Sequence, residues 1–469
     1  MAEQAPTSVD TEATPLLGKQ VQKKATPLPK LQLAIICLIR IVEPICFQVI
    51  FPFINEMLVK IGAAKDRDSV GYPAGIIESI FSLTQLVTVF FWGSLSDRIG
   101  RKPVLIIGCV GSSVSAVAFG LSKSFPMLVL TRCLNGVMNG NIGVLKAIMA
   151  EICDETNEAK AFSFFPLCLN IGVLIASFIG GTFSSSERFP ALHRIPLFAA
   201  YPYLLPNLLA AILPLVAAIL AAIYLKETLP PPIHHNKSQP PSSPASSTTL
   251  DADAQVDEVE DSTSLWNLFT PEINALMFSF AVLSLLGGAV MAILPLFCFT
   301  PIADGGLDFS DGEIGTAMAV RAVATIIVQL SAFPWLQRRL GSLRLYRGLM
   351  VLWIPAYIGL PMLNGFARLG QKRVVWTGMV MTLLCGAIAN MAFVCNLIMT
   401  NAAAPNRHML GAINGYAQVL SSGVRIIGPG GASILFALSI NHHILGGYFV
   451  WLVFGLVGVN TYLISVEYM

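Results

Sequence analysis

The amino-acid sequence predicts an all-α membrane protein with twelve transmembrane helices in two pseudo-symmetric six-helix halves. Three observations carry that prediction. Of 469 residues, 55% are hydrophobic and only 12% charged, against roughly 25% charged in a typical soluble domain, and the mean hydropathy is +0.70. Twelve windows reach the length of about 20 mostly apolar residues that crosses a bilayer core. One long polar segment divides those windows six and six. Such a composition excludes a soluble globular domain, a disordered chain and a nucleic-acid binder, and a net charge of +2 gives no general attraction to an acidic partner.

Residues 1–30 read as a polar cytosolic tail, because they lack the apolar core and cleavage site of a signal peptide. Span 1 (31–54) carries Arg40, Glu43 and Pro44, and Lys60, Lys65 and Arg67 mark the loop that ends it. Span 2 (73–93) carries Glu78 and stops at a basic turn with Arg98, Arg101 and Lys102. Span 3 (103–122) is uncharged, and Lys123 separates it from span 4 (126–150), which holds Arg132 and Lys146. Lys160 precedes span 5 (162–183), and Arg188 and Arg194 precede span 6 (204–225). Residues 226–272 form a linker, rich in Pro and Ser from Pro230 and acidic from Asp251 to Asp261, too polar to order itself by burial. The second half, 273–469, repeats the plan. Span 7 (273–297) is uncharged, and span 8 (312–333) holds Arg321 and ends at Arg338 and Arg339. Span 9 (345–364) ends before Arg368, Lys372 and Arg373, and span 10 (374–400) before Arg407. Span 11 (411–437) holds Arg425, and His442 and His443 separate it from span 12 (446–465).

Orientation follows from the basic residues outside the spans, since basic loops stay in the cytosol. With both termini inside, 15 Lys and Arg fall on the cytosolic side and 9 on the other. The glycosylation-like triplet Asn236-Lys237-Ser238 is then cytosolic and expected to stay unmodified. Most of the nine cysteines sit singly inside apolar runs, and all six histidines lie in connecting segments. Neither pattern supports a disulfide frame or a metal cage, so no metal and no cofactor is expected.

Five basic residues (Arg40, Arg132, Lys146, Arg321, Arg425) and two acidic ones (Glu43, Glu78) remain inside spans, a net +3. Each is costly in hydrocarbon unless it faces protein or a water-filled cavity. At helical spacing they join polar stripes: Glu78, Ser82 and Gln85 in span 2; Arg132, Asn135, Asn139 and Lys146 in span 4; Arg321, Thr325 and Gln329 in span 8; Asn414, Gln418, Ser421 or Ser422, and Arg425 in span 11. Stripes from both halves predict a polar central cavity, although any single one could be an interhelical hydrogen-bonding face. The net positive interior favours anionic or amphiphilic organic substrates over a bare metal cation.

After span 2 stands Gly93-Ser94-Leu95-Ser96-Asp97-Arg98-Ile99-Gly100-Arg101-Lys102. Its glycines allow a tight turn, and Arg101 offers a forked donor to a carboxylate such as Glu151. The run resembles the G-x-L-[SA]-D-R-x-G-R-[RK] signature of the major facilitator superfamily. That resemblance implies a loop that latches the halves in the outward-facing state, with Asp97 against the cytosolic end of span 11 near Gly411. Arg132-x-x-x-Gly136 is similar to the family's R-x-x-x-G motif, which implies a coupling role for Arg132. Leu336-Gln337-Arg338-Arg339-Leu340-Gly341 stands where the signature repeats, without its Asp. Leu38 to Pro44, together with Asn414-Gly415 and Arg425 to Pro429, resembles the fungal and plant zinc-induced-facilitator-like group of drug:proton antiporters. Span 5 departs from the antiporter pattern: its run Gly172…Gly180-Gly181 has no Pro, while Gly428-Pro429-Gly430-Gly431 occupies span 11 as a candidate hinge, as does Pro44 in span 1.

These residues predict a secondary transporter of small organic solutes, driven by a proton gradient and resembling multidrug exporters. Arg40 and Glu43 share a face of span 1, where a carboxylate balanced between burial and a guanidinium can take up and release a proton. Glu43 is the first candidate proton or substrate site, Glu78 the second, and Arg132 the coupling residue, with Arg321 and Arg425 as substrate contacts of the second half and Asn414 and Gln418 beside them. Glu12-Ala13-Thr14-Pro15-Leu16-Leu17 fits the acidic dileucine sorting pattern, which points to a sorting adaptor and a vacuolar or lysosome-like membrane ahead of the plasma membrane. The protein is expected to be a monomer in the lipid bilayer. The rival class is a non-transporting sensor with the same fold; an enzyme is disfavoured because no nucleophile–base pair or phosphate-binding loop is visible.

Overall fold

In hydrocarbon a backbone must satisfy its own N–H and C=O groups, which helices do within one segment. Each apolar window of this chain is accordingly helical in the computed structural model, which describes residues 26–154, 157–184, 189, 194–229, 270–403 and 410–467. The first half contains α1 (Lys30–Gln48), α2 (Gly71–Ile99), α3 (Arg101–Gly120), α4 (Phe125–Met138 and Ile142–Ile152), α5 (Glu158–Phe183) and α6 (Leu204–Tyr224). The second contains α7 (Pro271–Phe299), α8 (Asp311–Leu340), α9 (Ser342–Arg368), α10 (Lys372–Ala389 and Ala392–Ala402), α11 (Leu410–Asn441) and α12 (Phe449–Glu467). Among the described residues a helix stands at each of the twelve expected spans, ten of them long and apolar enough to cross a membrane, and the chain is a multi-pass integral membrane protein with the twelve-span fold of two six-helix halves. Glu12, Leu16, Leu17 and linker residues 230–269, including the Asn236 triplet, lie outside the described residues.

Local chemistry sets the ends. Thr270 caps α7 by accepting the Ile273 amide at 3.3 Å, and a Ser310–Glu313 capping box opens α8. Gly100 (φ +105°) and Gly341 (φ +73°) make the tight α2–α3 and α8–α9 turns at left-handed values that favour glycine. One expectation needs correction: α4 is not one continuous helix. It breaks into a 3₁₀ turn at Asn139–Asn141, where a Cβ on Gly140 would sit 2.5 Å from Trp92 and where Gln85 Nε2 donates to the Asn139 carbonyl at 3.1 Å. The stripe from Arg132 to Lys146 therefore crosses a change of helical phase.

Large apolar side chains such as Phe90, Phe91, Leu130, Ile223, Ile327 and Leu330 are exposed and form the lipid-facing surface. The halves meet along α2 with α11 and α5 with α8. These seams are tight at the membrane face remote from the chain ends, here the far side. A Cβ on Gly75 would lie 2.7 Å from the Gly430 carbonyl, and one on Gly181 2.7 Å from the Gly315 Cα. Arg67 closes the same side by pairing with Asp308 of the other half at 2.6 Å while lying 4.8 Å from the Phe299 ring. Toward the terminal side, which carries both chain ends, the seams open: α8 has no buried residue after Val328, and residues 419–427 of α11 are partly or fully exposed. The conformation is closed on the far side and open on the terminal side.

Candidate transport site and gating loop

The terminal-side opening leads to charges from both halves. Arg40 and Glu43, three residues apart on α1, form an ion pair, and the Arg40 guanidinium lies 5.7 Å from the Phe165 ring of α5. Lys146 of α4, an exposed residue, interacts electrostatically with Arg40, Glu43 and Arg425, and Arg425 of α11 does so with Arg40 and Glu43. One carboxylate thus serves three cations on three helices, one of them from the opposite half. Pro44 lies within α1, where its ring and the Ile41 carbonyl meet Gly172 of α5. Asn414 and Gln418 are on α11, with side chains outside the described set.

Two predicted cavity residues lie elsewhere. Arg132, 1% exposed, is enclosed by the rings of Phe47, Phe81 and Phe119 at 5.3, 5.2 and 5.7 Å. It donates to the Phe47 carbonyl at 3.2 Å. Each ring contact contributes roughly 0.5–2 kcal/mol. Gly136 lets α4 reach α2, since its Cβ would collide with Thr84 and the Phe81 carbonyl. The arginine and glycine of the R-x-x-x-G run therefore build a helix contact. Glu78, 4% exposed, sits in the α2–α11 seam, where the Ser433 hydroxyl donates to its carboxylate at 3.4 Å; Arg132 is the charge that acts on it. Stripe positions alone could not separate a seam from a cavity wall, because both bury polar atoms. Ser82 and Gln85 continue the same buried face.

Arg321 on α8 reaches α7, where Nη2 lies 2.5 Å from the Met291 sulfur, and Gln48 of α1 approaches that sulfur at 4.0 Å. Gln329, two turns along α8, accepts from Asn170 of α5 across the halves at 3.3 Å. Gly180 packs on the Val49 carbonyl and Pro52, Gly181 forms the α5–α8 seam, and Gly428 and Pro429 meet Leu285 and Gly288 of α7. Gly71, Gly75 and Gly315 were not among the hinge and packing candidates, although small residues at helix contacts were the available signal.

The α2–α3 loop, the candidate latch, is built around Arg101. Its Nη1 donates to Asp97 at 2.5 Å and to Ser96 Oγ at 2.6 Å, and its Nε to Glu151 at 3.1 Å. Arg98 is exposed, and Gly93 offers open space. Asp97, the residue the resemblance assigns to span 11, is here paired with Arg101; residues 404–409, which precede α11, lie outside the described set. Sequence reasoning missed Glu227. Its carboxylate accepts the backbone amides of Arg101 and Lys102 at 2.8 and 3.0 Å, the anion-binding end of α3. Burial opposes its charge, but the amides of Leu229, Arg101, Lys102 and Thr228 outweigh that and hold the carboxyl below its usual range. A Cβ at Gly100 would collide with Glu227 Oε2 at 2.6 Å. Thr228 donates to Glu151.

All nine cysteines are free thiols, and among the described residues no three His, Cys, Asp or Glu side chains gather to hold a metal. A profile described as Major Facilitator Superfamily matches residues 36–429. The efflux pump azaK of Aspergillus niger is 29% identical over 465 residues, covering 96% of this chain and 93% of the relative. Protein ZINC INDUCED FACILITATOR 1 of Arabidopsis thaliana is 28% identical over 436 residues, covering 90% and 87%. The crystal structure of a bacterial homolog to the human lysosomal transporter Spinster, inward-facing and occupied, superposes with a TM-score of 0.64 at 13% identity, covering 95% and 96%.

Proposed function

This chain belongs to the major facilitator superfamily, a family of transporters rather than enzymes, and resembles within it the group of fungal efflux pumps and plant zinc-induced facilitators; from that premise we propose that it exports small organic solutes by alternating access in exchange for protons. The observation that carries the reading is the Glu43 cluster. A carboxylate paired with Arg40 also interacts with Lys146 of its own half and Arg425 of the other. When the halves rock, Arg425 moves relative to Glu43, so the field at Glu43 changes with conformation. Proton occupancy and access are thereby coupled.

Three cations around one carboxylate make the cavity electropositive, which favours anionic or amphiphilic organic substrates. With the termini in the cytosol, the open side is cytosolic and substrate enters from there. Closure of that side would bring Asp97 toward the start of α11, the latch its loop resembles. The acidic dileucine of the tail and the likeness to a plant zinc-induced facilitator support residence in a vacuolar or lysosome-like membrane.

Counterflow in proteoliposomes across a panel of organic anions and cations tests the proposal. Exchange of at least one anion is expected, with pH-dependent flux lost in Glu43→Gln. Undiminished pH-dependent flux in that variant removes Glu43 as the proton site, and no exchange of any solute favours a non-transporting sensor.

A further inference from the structure

Among the described residues, the Arg321 guanidinium inside α8 has no oxygen acceptor. It is partly buried on α8, it forms no ion pair among the described residues, and its Nη2 rests on a thioether, a weak acceptor. Among the described residues its Nε is buried with no partner, as are the Nε atoms of Arg40 and Arg132 and the Oε1 of Gln48, which approaches the same sulfur. Arg40 and Arg101 each have a carboxylate and Arg132 has three rings and a carbonyl, whereas Arg321 has one sulfur. Removing a guanidinium from water without an anion is strongly unfavourable, and a planar fork is best satisfied by a two-oxygen acceptor.

Its position suits a ligand. The side chain meets Met291 of α7, whose sulfur Gln48 of α1 also approaches, so helices of opposite halves converge on it beneath the Gly181–Gly315 closure. At 1.5 Å per residue, Arg321 lies on the order of 15 Å from the far end of α8, and Arg425 about 24 Å from the far end of α11. Arg321 therefore stands at the roof of the opening and the Glu43 cluster on its wall. We propose that Arg321, beside Gln48 and Met291, is an anion-binding subsite that takes the carboxylate of an amphiphilic organic anion entering from the terminal side. This assignment rests on the transporter reading and names its substrate class. It also separates charge from charge: an anion seated at the roof does not have to share the Glu43 cluster with the proton, so the two can be exchanged.

The test uses the full-length protein purified in detergent, with thermal unfolding as readout. The probes are 4-phenylbutyrate, its neutral isostere 4-phenylbutyramide, and sodium chloride at matched concentration. Wild type is expected to be stabilised by the carboxylate and not by the amide or chloride. Arg321→Met should unfold at the same or a higher temperature than wild type without ligand, because an uncompensated buried charge is gone. It should bind 4-phenylbutyrate at least about tenfold more weakly, the loss of a charge-assisted pair, while Arg321→Lys keeps part of the response. A lower unfolding temperature in unliganded Arg321→Met makes the residue structural and overturns the proposal. An equal response to chloride, no response in wild type, or an unchanged response in Arg321→Met overturns it as well. If any of these outcomes is met while wild type still exchanges a solute in proteoliposomes, transport stands and this assignment falls, whereas absence of all flux in wild type strikes transport itself.

Discussion

The few ionisable side chains inside the bilayer have been given four different environments, and each makes a different demand. Arg132 is enclosed by rings, Glu78 is bonded across a seam, Arg40 and Glu43 are paired beside further cations, and Arg321 has a sulfur. Sequence alone identified all of them as exceptional, because a charge in an apolar run is costly wherever it points. It could not distinguish the environments, which depend on ring and carbonyl positions from helices distant in the chain. Glu227 was missed for the opposite reason: it lies in a polar segment where a carboxylate is unremarkable, and its meaning comes from the amides of Arg101 and Lys102. Glu227→Ala should cost about 1 kcal/mol, as loss of a helix N-cap does, read as a lower unfolding temperature at neutral pH. Because the folded carboxyl is held below its usual range, this contribution is present above the ordinary Glu value of about 4.3 and fades as pH falls through the lower folded value. The wild-type and Glu227→Ala curves should therefore converge in acid, and a difference that persists there would mean the carboxylate charge is not what ties α3 down.

At the scale of elements, all twelve helices were legible from hydropathy, since lipid permits little else at that depth. The break in α4 and the identity of the seams were not. A glycine in a membrane helix is common, and only packing shows that Gly75 faces the Gly430 carbonyl while Gly93 faces open space. The α2–α11 and α5–α8 seams close the far side through such glycines, so adding bulk there should oppose closure. Gly75→Val, a substitution that overpacks by roughly 1–3 kcal/mol, is expected to shift the population toward far-side opening. In a cysteine-depleted background, Ser433→Cys should then react several-fold faster with a membrane-impermeant maleimide applied from the far side. Unchanged labelling would show that this seam is not the far-side gate.

For the whole molecule, asymmetry of closure is what links structure to transport. One face is sealed by glycine contacts and the Arg67–Asp308 pair, and the other is open beside the α2–α3 loop, in which Arg101 holds Asp97 and Glu151. In the proposed mechanism, exchange of these two conditions carries solute across, and the Glu43 cluster, which includes Arg425 of the other half, is the link between them. The central claim is that this movement is coupled to protons at Glu43. The most direct measurement is pH-gradient-driven flux of an organic anion in proteoliposomes, comparing wild type with Glu43→Gln at equal reconstitution and with counterflow as a check on gradient-independent exchange. The account predicts gradient-driven flux in wild type and, in Glu43→Gln, exchange that persists but no longer responds to the gradient. Equal gradient-driven flux in the two proteins would contradict it.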